Sequence, residues 1–170
     1  MEGYNTRYLH PCTLALRPER FFMMTVRTID YNSPQYEQLL QLRIRSLLLA
    51  YNIPADFIKR ETESNDFHIG AFEGYQLLGC CVLTPRGSDL VQLRQMIVDP
   101  NLQKKGVGAA IVAFAEELAQ AHGFTTVMMH ARNAAIGFYE KLGYEIVGDE
   151  FMEVNIPHHR MEKRLDGQSL

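Results

Sequence analysis

Hydrophobic residues recur with two different periods from Met24 onward, and the period separates strands from helices. In residues 24–30, β-branched side chains alternate with other side chains, which predicts a first strand. Ser33 and Pro34 then supply a helix cap and a first-turn proline ahead of apolar residues at helical spacing. This helix is expected to end before Pro54, and the polar stretch 53–65 predicts a short helix or a loop.

Three apolar runs in the middle of the chain predict neighbouring strands. Residues 67–72 and 77–83 are separated by a short turn around Gly74, which is typical of an antiparallel hairpin. Residues 90–98 alternate until Asp99 and Pro100 end the strand.

The pattern becomes helical from Lys104 to about Gly123, with apolar residues along one face. The remaining elements are predicted as a strand at 124–129, a helix at 134–142, a strand at 144–147 and a closing strand around 159–165. This order predicts one α/β domain with a mixed sheet. Residues 1–22 show no clear period and are expected to be an N-terminal extension to a domain that occupies residues 23–170.

Composition limits the class of protein without identifying it. A hydrophobic content of 46% against 22% charged residues excludes a disordered, collagenous or fibrous chain. The net charge of −3 and the scattered basic residues indicate no nucleic-acid partner, and no apolar run is long enough to predict a membrane span. Cys80 and Cys81 lie in an apolar run and Cys12 is remote, so free thiols in a cytoplasmic protein are expected, with no metal site.

The turn after residues 90–98 carries the strongest chemical signal. Gly106 and Gly108 stand at a predicted helix start, where unpartnered backbone N–H groups and the helix dipole attract anions. Lys104 and Lys105 add positive charge beside them. The spacing excludes a P-loop, which needs Gly-Lys-Ser/Thr, and a dinucleotide fingerprint, which needs a third glycine where Ile111 stands.

The pattern Gln103-x-x-Gly106-x-Gly108 resembles the coenzyme A pyrophosphate loop of the GCN5-related N-acetyltransferase (GNAT) superfamily. Residues 130–145, HARNAAIGFYEKLGYE, are similar to the segment of these enzymes that joins the fifth strand to the fourth helix. The resemblance covers roughly residues 24–165. The His158-His159 segment resembles one bacterial subset whose substrate is uncertain.

The resemblance implies a twisted, mostly antiparallel mixed sheet flanked by helices, with the fourth and fifth strands splayed apart. It also implies transfer of an acetyl group from acetyl-CoA to a primary amine of a small molecule or peptide. A non-catalytic module that binds or senses acyl-CoA is the alternative. Pairing of exposed strand edges across a homodimer is compatible with this architecture.

Site residues follow from the same resemblance. Asn133 is expected to bond the pantetheine or to cap the following helix, and Tyr139 is expected to be the acid that protonates the leaving thiolate. His130 and His158 are the first candidates for the base that deprotonates the amine, ahead of Glu150. The full set of expected cofactor-binding residues is Met96, Ile97, Val98, Gln103, Lys104, Lys105, Gly106, Val107, Gly108, Asn133 and Phe138.

Overall fold

Strands and helices follow one another in the predicted order in the computed structural model, which describes residues 23–50, 52–54, 58–103 and 105–167. The strands are β1 (Met24–Ile29), β2 (Phe67–Glu73), β3 (Gln76–Pro85), β4 (Leu90–Val98), β5 (Thr126–Arg132), β6 (Glu145–Ile146), β7 (Phe151–Glu153) and β8 (Ile156–Arg164). The helices are α1 (Pro34–Arg43), α2 (Val107–Ala121) and α3 (Ile136–Glu140), with a π-helical segment at Ile44–Leu49 and 3₁₀ turns at Arg60–Thr62, Pro100–Leu102 and Asn133–Ala135. The predicted extension, residues 1–22, lies outside the described residues.

The strands form one 8-stranded sheet in the order β1-β2-β3-β4-β5-β8-β6, and β7 also pairs with β8. The pair formed by β4 and β5 is parallel, and the other pairs among the described strands are antiparallel. The predicted mixed, mostly antiparallel sheet is therefore confirmed.

The two long helices cover opposite faces of the sheet. Successive side chains of a strand point to opposite faces, and neighbouring Cys80 and Cys81 belong to two different core clusters. Cys80 packs with residues of α1, whereas Cys81 packs with residues of α2. Both thiols are free and fully buried, as predicted, and burial raises the pKa of Cys80 to about 12, which disfavours thiolate chemistry. Cys12 lies outside the described residues.

The start of α1 confirms the predicted cap. The Oγ atom of Ser33 accepts a hydrogen bond from the backbone N–H of Tyr36 at 3.1 Å, and Pro34 occupies the first turn. Glu37 adds negative charge at the positive end of the helix. Local sequence therefore fixes where this helix begins.

Some predicted elements differ from the structure. The predicted strand 124–129 is displaced to Thr126–Arg132, because the N–H of Phe124 bonds Ala119 O and so closes α2. The predicted helix 134–142 is divided into a 3₁₀ turn and the short α3, and α3 ends before Gly143, whose φ is +87°. β7 was not predicted, since three residues show no period and the strand exists through its pairing with β8.

Candidate active site

A cleft opens where β4 and β5 separate. The two strands pair from Leu90 to Gln92, whereas β4 remains paired with β3 as far as Val98. Beyond Gln92 the edge of β4 that faces β5 borders a cleft of about 260 Å³. The splayed strands implied by the sequence are thus present.

The three residues predicted as catalytic, Tyr139, His130 and His158, all line this cleft. They come from α3, β5 and β8, so the fold brings together side chains that are distant in the sequence. The lining also includes residues outside the expected catalytic and cofactor-binding sets, and these are Ile53, Gln92, Leu93, Arg94, Gln95, Met129, Ala131, Arg132, Ala135, Glu153 and Val154.

Tyr139 lines the cleft and is almost completely buried. Only 6% of the residue is exposed, and its ring contacts Phe138 and Tyr144 edge-to-face, with centroids 5.0 and 5.8 Å apart. Burial raises the pKa of Tyr139 above its ordinary value, and the proximity of Cys81 adds to the shift. The phenol therefore keeps its proton at neutral pH and can act as a donor.

His130 is oriented by a carboxylate. Its Nδ1 atom lies 2.9 Å from Oε2 of Glu153, and its ring contacts Phe151 edge-to-face at 4.8 Å between centroids. An ionised carboxylate only accepts hydrogen bonds, so in the neutral imidazole this contact favours the tautomer with the proton on Nδ1 and a lone pair on Nε2. This arrangement suits His130 to accept a proton from a substrate.

A strained turn places Glu153 at the rim. Val154 and Asn155 form the two-residue connection between β7 and β8, with φ of +46° and +62°. Both positive angles suit a hairpin turn that follows the twist of its strands. Asparagine tolerates this conformation, but a β-branched valine rarely adopts it.

His158 differs from His130 in burial and in partner. It is 6% exposed, and its Nδ1 lies 2.8 Å from the carbonyl oxygen of Ile156. A neutral carbonyl fixes the same tautomer as a carboxylate does, but it offers less stabilisation to a protonated ring. Phe151 stacks on His158 at 6.1 Å between centroids and so contacts both histidines.

The predicted anion-binding loop ends at the N-terminus of α2. Gly106 has a φ of +80° and is the N-cap, and no side chain caps the helix there. This conformation favours glycine, and the first-turn N–H groups are left without a capping side chain. The helix begins at Val107 instead of at Lys104, which lies outside the described residues, and Lys105 is exposed next to the cap.

Two of the expected cofactor residues, Phe138 and Met96, lie next to a third, Gly108. A Cβ atom added to Gly108 would lie 3.2 Å from Cζ of Phe138 and 3.4 Å from Cε of Met96. Because Met96 also lines the cleft, this contact joins the loop to the cleft. The Ile97 side chain instead packs in the core on the α1 face, so only its backbone faces the β4 edge.

Asn133 lies in a surface network outside the cleft lining. Its Nδ2 donates to Oε2 of Glu150 at 2.7 Å, and its Oδ1 lies 3.0 Å from Nδ1 of His159. Neither the 3₁₀ turn at Asn133–Ala135 nor α3 has a side-chain cap. Asn133 therefore binds Glu150 and His159 in this structure instead of capping a helix.

Within the described ranges, no helix is long and apolar enough to cross a membrane. The same residues contain no group of three or more His, Cys, Asp or Glu side chains arranged to hold a metal ion.

Comparison with known proteins agrees with this geometry. Residues 41–165 match the family described as acetyltransferase (GNAT) domain. The uncharacterized N-acetyltransferase YjcF of Bacillus subtilis (strain 168) is 26% identical over 136 residues, which cover 79% of this chain and 96% of that relative. The uncharacterized protein YyaT of the same bacterium is 39% identical over 74 residues, which are 44% of this chain and 50% of YyaT, so the chain matches about half of that relative's length.

A solved aminoglycoside 6'-N-acetyltransferase complexed with coenzyme A has the same fold. Its TM-score is 0.74 at 19% identity, over 85% of this chain and 99% of that chain. The family match covers most of the described domain. The structure also contains the parallel β4–β5 pair that separates to form the cleft. The chain belongs to the GNAT acetyltransferase family.

Proposed function

We propose that this protein transfers an acetyl group from acetyl-CoA to a primary amine of a small molecule or peptide. The observation that carries the proposal is that Tyr139, His130 and His158 line one cleft whose wall, at Met96, contacts Gly108 of the glycine loop. The N-acetyltransferase named among the relatives and the coenzyme A complex of the same fold support this donor.

The glycine loop would hold the pyrophosphate of the cofactor. The backbone N–H groups of Gly106, Val107 and Gly108 lie at the positive end of α2. The sequence adds the amide of Gln103 and the positive charges of Lys104 and Lys105 directly before them. The pantetheine would then run along the unpaired edge of β4 from Val98 to Met96, towards the cleft. Phe138 borders this path through its contact with Gly108.

Acetyl transfer forms a C–N bond and breaks a C–S bond. Negative charge builds on the thioester oxygen as the amine attacks, and a backbone N–H near Val98 would stabilise it. The leaving thiolate takes the phenol proton of Tyr139, which burial keeps on the oxygen until this step. Solvent then returns the proton to Tyr139.

The proton of the amine would move to Nε2 of His130. Glu153 accepts the Nδ1 proton of the ring at 2.9 Å and so keeps Nε2 free to take it. His158, buried and backed by a neutral carbonyl, is less suited to hold the charge. Of the two histidines predicted as the base, the geometry favours His130.

Cofactor binding is tested by a charge placed in the loop. Acetyl-CoA should raise the melting temperature of the wild type, because a ligand at about one hundred times its Kd adds roughly 2.7 kcal/mol to stability. Gly108→Glu should abolish this rise, since its side chain would enter the contact with Phe138 and Met96 and repel the phosphates. Gly87→Glu is the control, because it adds the same charge at a position with only ordinary contacts.

An unchanged response of Gly108→Glu to acetyl-CoA, or a wild-type response to ATP or NAD alone, would contradict the cofactor assignment. Release of CoA thiol in the presence of a panel of amines then separates an enzyme from the non-catalytic alternative. Binding of acetyl-CoA with no thiol release above background would support the binding module.

A further inference from the structure

Gln95 occupies an irregular position in the strand that borders the cleft. Val82 of β3 pairs with Arg94, and Cys80 pairs with Ile97, so that a single β3 residue faces both Gln95 and Met96. The extra residue is a β-bulge, and such bulges re-aim side chains. The φ of Gln95 is +51°, a conformation that side chains other than glycine seldom adopt.

The side-chain amide of Gln95 is buried without a partner. Within the described residues, neither its Oε1 nor its Nε2 makes a hydrogen bond, although solvent reaches neither atom. An unpaired polar group away from water costs free energy. By contrast, Gln92 on the same strand accepts a hydrogen bond from Nε of Arg86 at 2.8 Å.

Gln95 lines the cleft and carries two features that lower the stability of the fold. Its backbone is strained, and its side-chain amide is buried without a hydrogen-bond partner. Gln95 precedes Met96, where the path proposed for the pantetheine reaches the cleft, so Gln95 lines the part of the cleft that the pantetheine would leave to the acceptor. Two other residues of the cleft lining are Arg94, which is next to Gln95 in the chain, and Ile53, which comes from the segment after α1.

A carboxamide presents one accepting oxygen and two N–H donors in a single plane. Its best complement offers both a C=O and an N–H, which is an amide group. A carboxylate would pair only with the NH₂ of Gln95, and an ammonium only with its oxygen.

We propose that Gln95 binds an amide group of the acceptor, so that the preferred acceptor is an amine with an amide nearby, as in an aminoacyl amide or a peptide N-terminus. This inference rests on the proposed function. The pantetheine arm also contains amides, and the experiment separates the two sources.

The test is equilibrium binding of two amines of similar size, glycinamide and propylamine, to the CoA-loaded protein. Wild type should bind glycinamide more tightly than propylamine by about tenfold, and Gln95→Met should bind the two amines equally. Each amine is compared with itself across the two proteins, so differences in basicity cancel. The Kd for acetyl-CoA should stay within about twofold.

Gln92→Met is the matched control, because it removes the satisfied glutamine of the same strand and should keep the preference for glycinamide. Without ligand, Gln95→Met should melt no lower than the wild type, since it removes an unpaired amide.

A wild type without preference for glycinamide would overturn the inference. So would a Gln95→Met variant that retains the preference, or one that loses acetyl-CoA affinity instead, which would assign Gln95 to the pantetheine. Because binding is measured without turnover, a protein that prefers glycinamide but releases no thiol would contradict the proposed function and leave this inference supported.

Discussion

Two glutamate–histidine pairs lie in different parts of this fold, and their surroundings give them different roles. Glu63 Oε2 lies 3.6 Å from His68 Nε2, and the two side chains are 4% and 1% exposed. Glu153 lies 2.9 Å from His130 at the cleft, and these side chains are 39% and 32% exposed. Residue type alone does not distinguish the two pairs.

The carboxylate of Glu63 is enclosed by donors. Arg43 reaches both of its oxygens, at 2.8 and 2.5 Å, and the hydroxyl of Tyr36 donates to it at 2.8 Å. Burial alone would raise the pKa of Glu63, but the contacts from Arg43 and His68 outweigh it, so the pKa lies well below its ordinary value. This buried cluster ties α1 to β2.

The pair at the cleft has the opposite character. Glu153 and His130 both line the cavity beside Tyr139, and part of each side chain meets solvent. A carboxylate next to a histidine therefore stabilises the fold where other donors enclose it. It can serve proton transfer where the ring faces a cavity.

Tyr139→Phe should have the largest effect on function. Loss of the acid should lower kcat by about two to four orders of magnitude without weakening acetyl-CoA binding. Because the pKa of Tyr139 is raised, the protonated form persists as the pH rises, so the wild type should lose no activity through phenol ionisation up to about pH 10. Thiol release measured across pH checks both statements.

Tyr144→Phe is the control for that variant, because Tyr144 is also buried but does not line the cleft. Equal turnover losses in the two variants would show that the phenol of Tyr139 acts through packing.

Glu63→Ala should have the largest effect on stability. It leaves Arg43 buried without its partner, which should cost about 3–5 kcal/mol in the free energy of unfolding. Glu153→Ala removes a partly exposed pair and should cost less than about 1 kcal/mol. Urea unfolding of the two variants measures this difference, and similar losses would refute the contrast between the pairs.

Acid unfolding provides a second measure of the same contrast. The pKa of Glu63 is lower in the folded than in the unfolded chain, so its contribution is fully present above the unfolded value of about 4.3 and is lost as the pH falls below it. Glu63→Gln should flatten the dependence of stability on pH in this acid range. An unchanged slope would mean that other carboxylates control acid unfolding.

Glu153→Gln should have the smallest effect of the series. The amide oxygen can still accept the Nδ1 proton of His130, but the negative charge that stabilises the protonated ring is lost, so turnover should fall by about tenfold. The melting temperature should hardly change. A turnover equal to that of the wild type would contradict the role of His130 and assign proton acceptance to His158.

Much of the fold was predictable because its signals are local. Ser33 and Pro34 mark the start of α1, and the alternation along β4 gives its bounds. Gly106 marks the turn that is proposed to bind the pyrophosphate, since its positive φ favours glycine. The proposed acid and base candidates came from a resemblance to a family, and the structure brings them to one cleft.

Other features depend on partners far along the chain. The polar stretch 53–65 gave no sign that Glu63 would be buried, because its partner Arg43 is 20 residues away. Glu153 lies in a three-residue strand that pairs with β8, and it meets His130 across 23 residues of sequence. Short strands and long-range ion pairs carry no periodic pattern.

Local sequence is sufficient to predict where this chain turns, where α1 is capped and where α2 begins without a capping side chain, because each depends on the backbone preferences of a few adjacent residues. Which polar side chains are enclosed and which face the cleft depends on tertiary packing. Burial and partner distance arise when distant segments pack, and they separate Glu63 from Glu153 and Gln92 from Gln95.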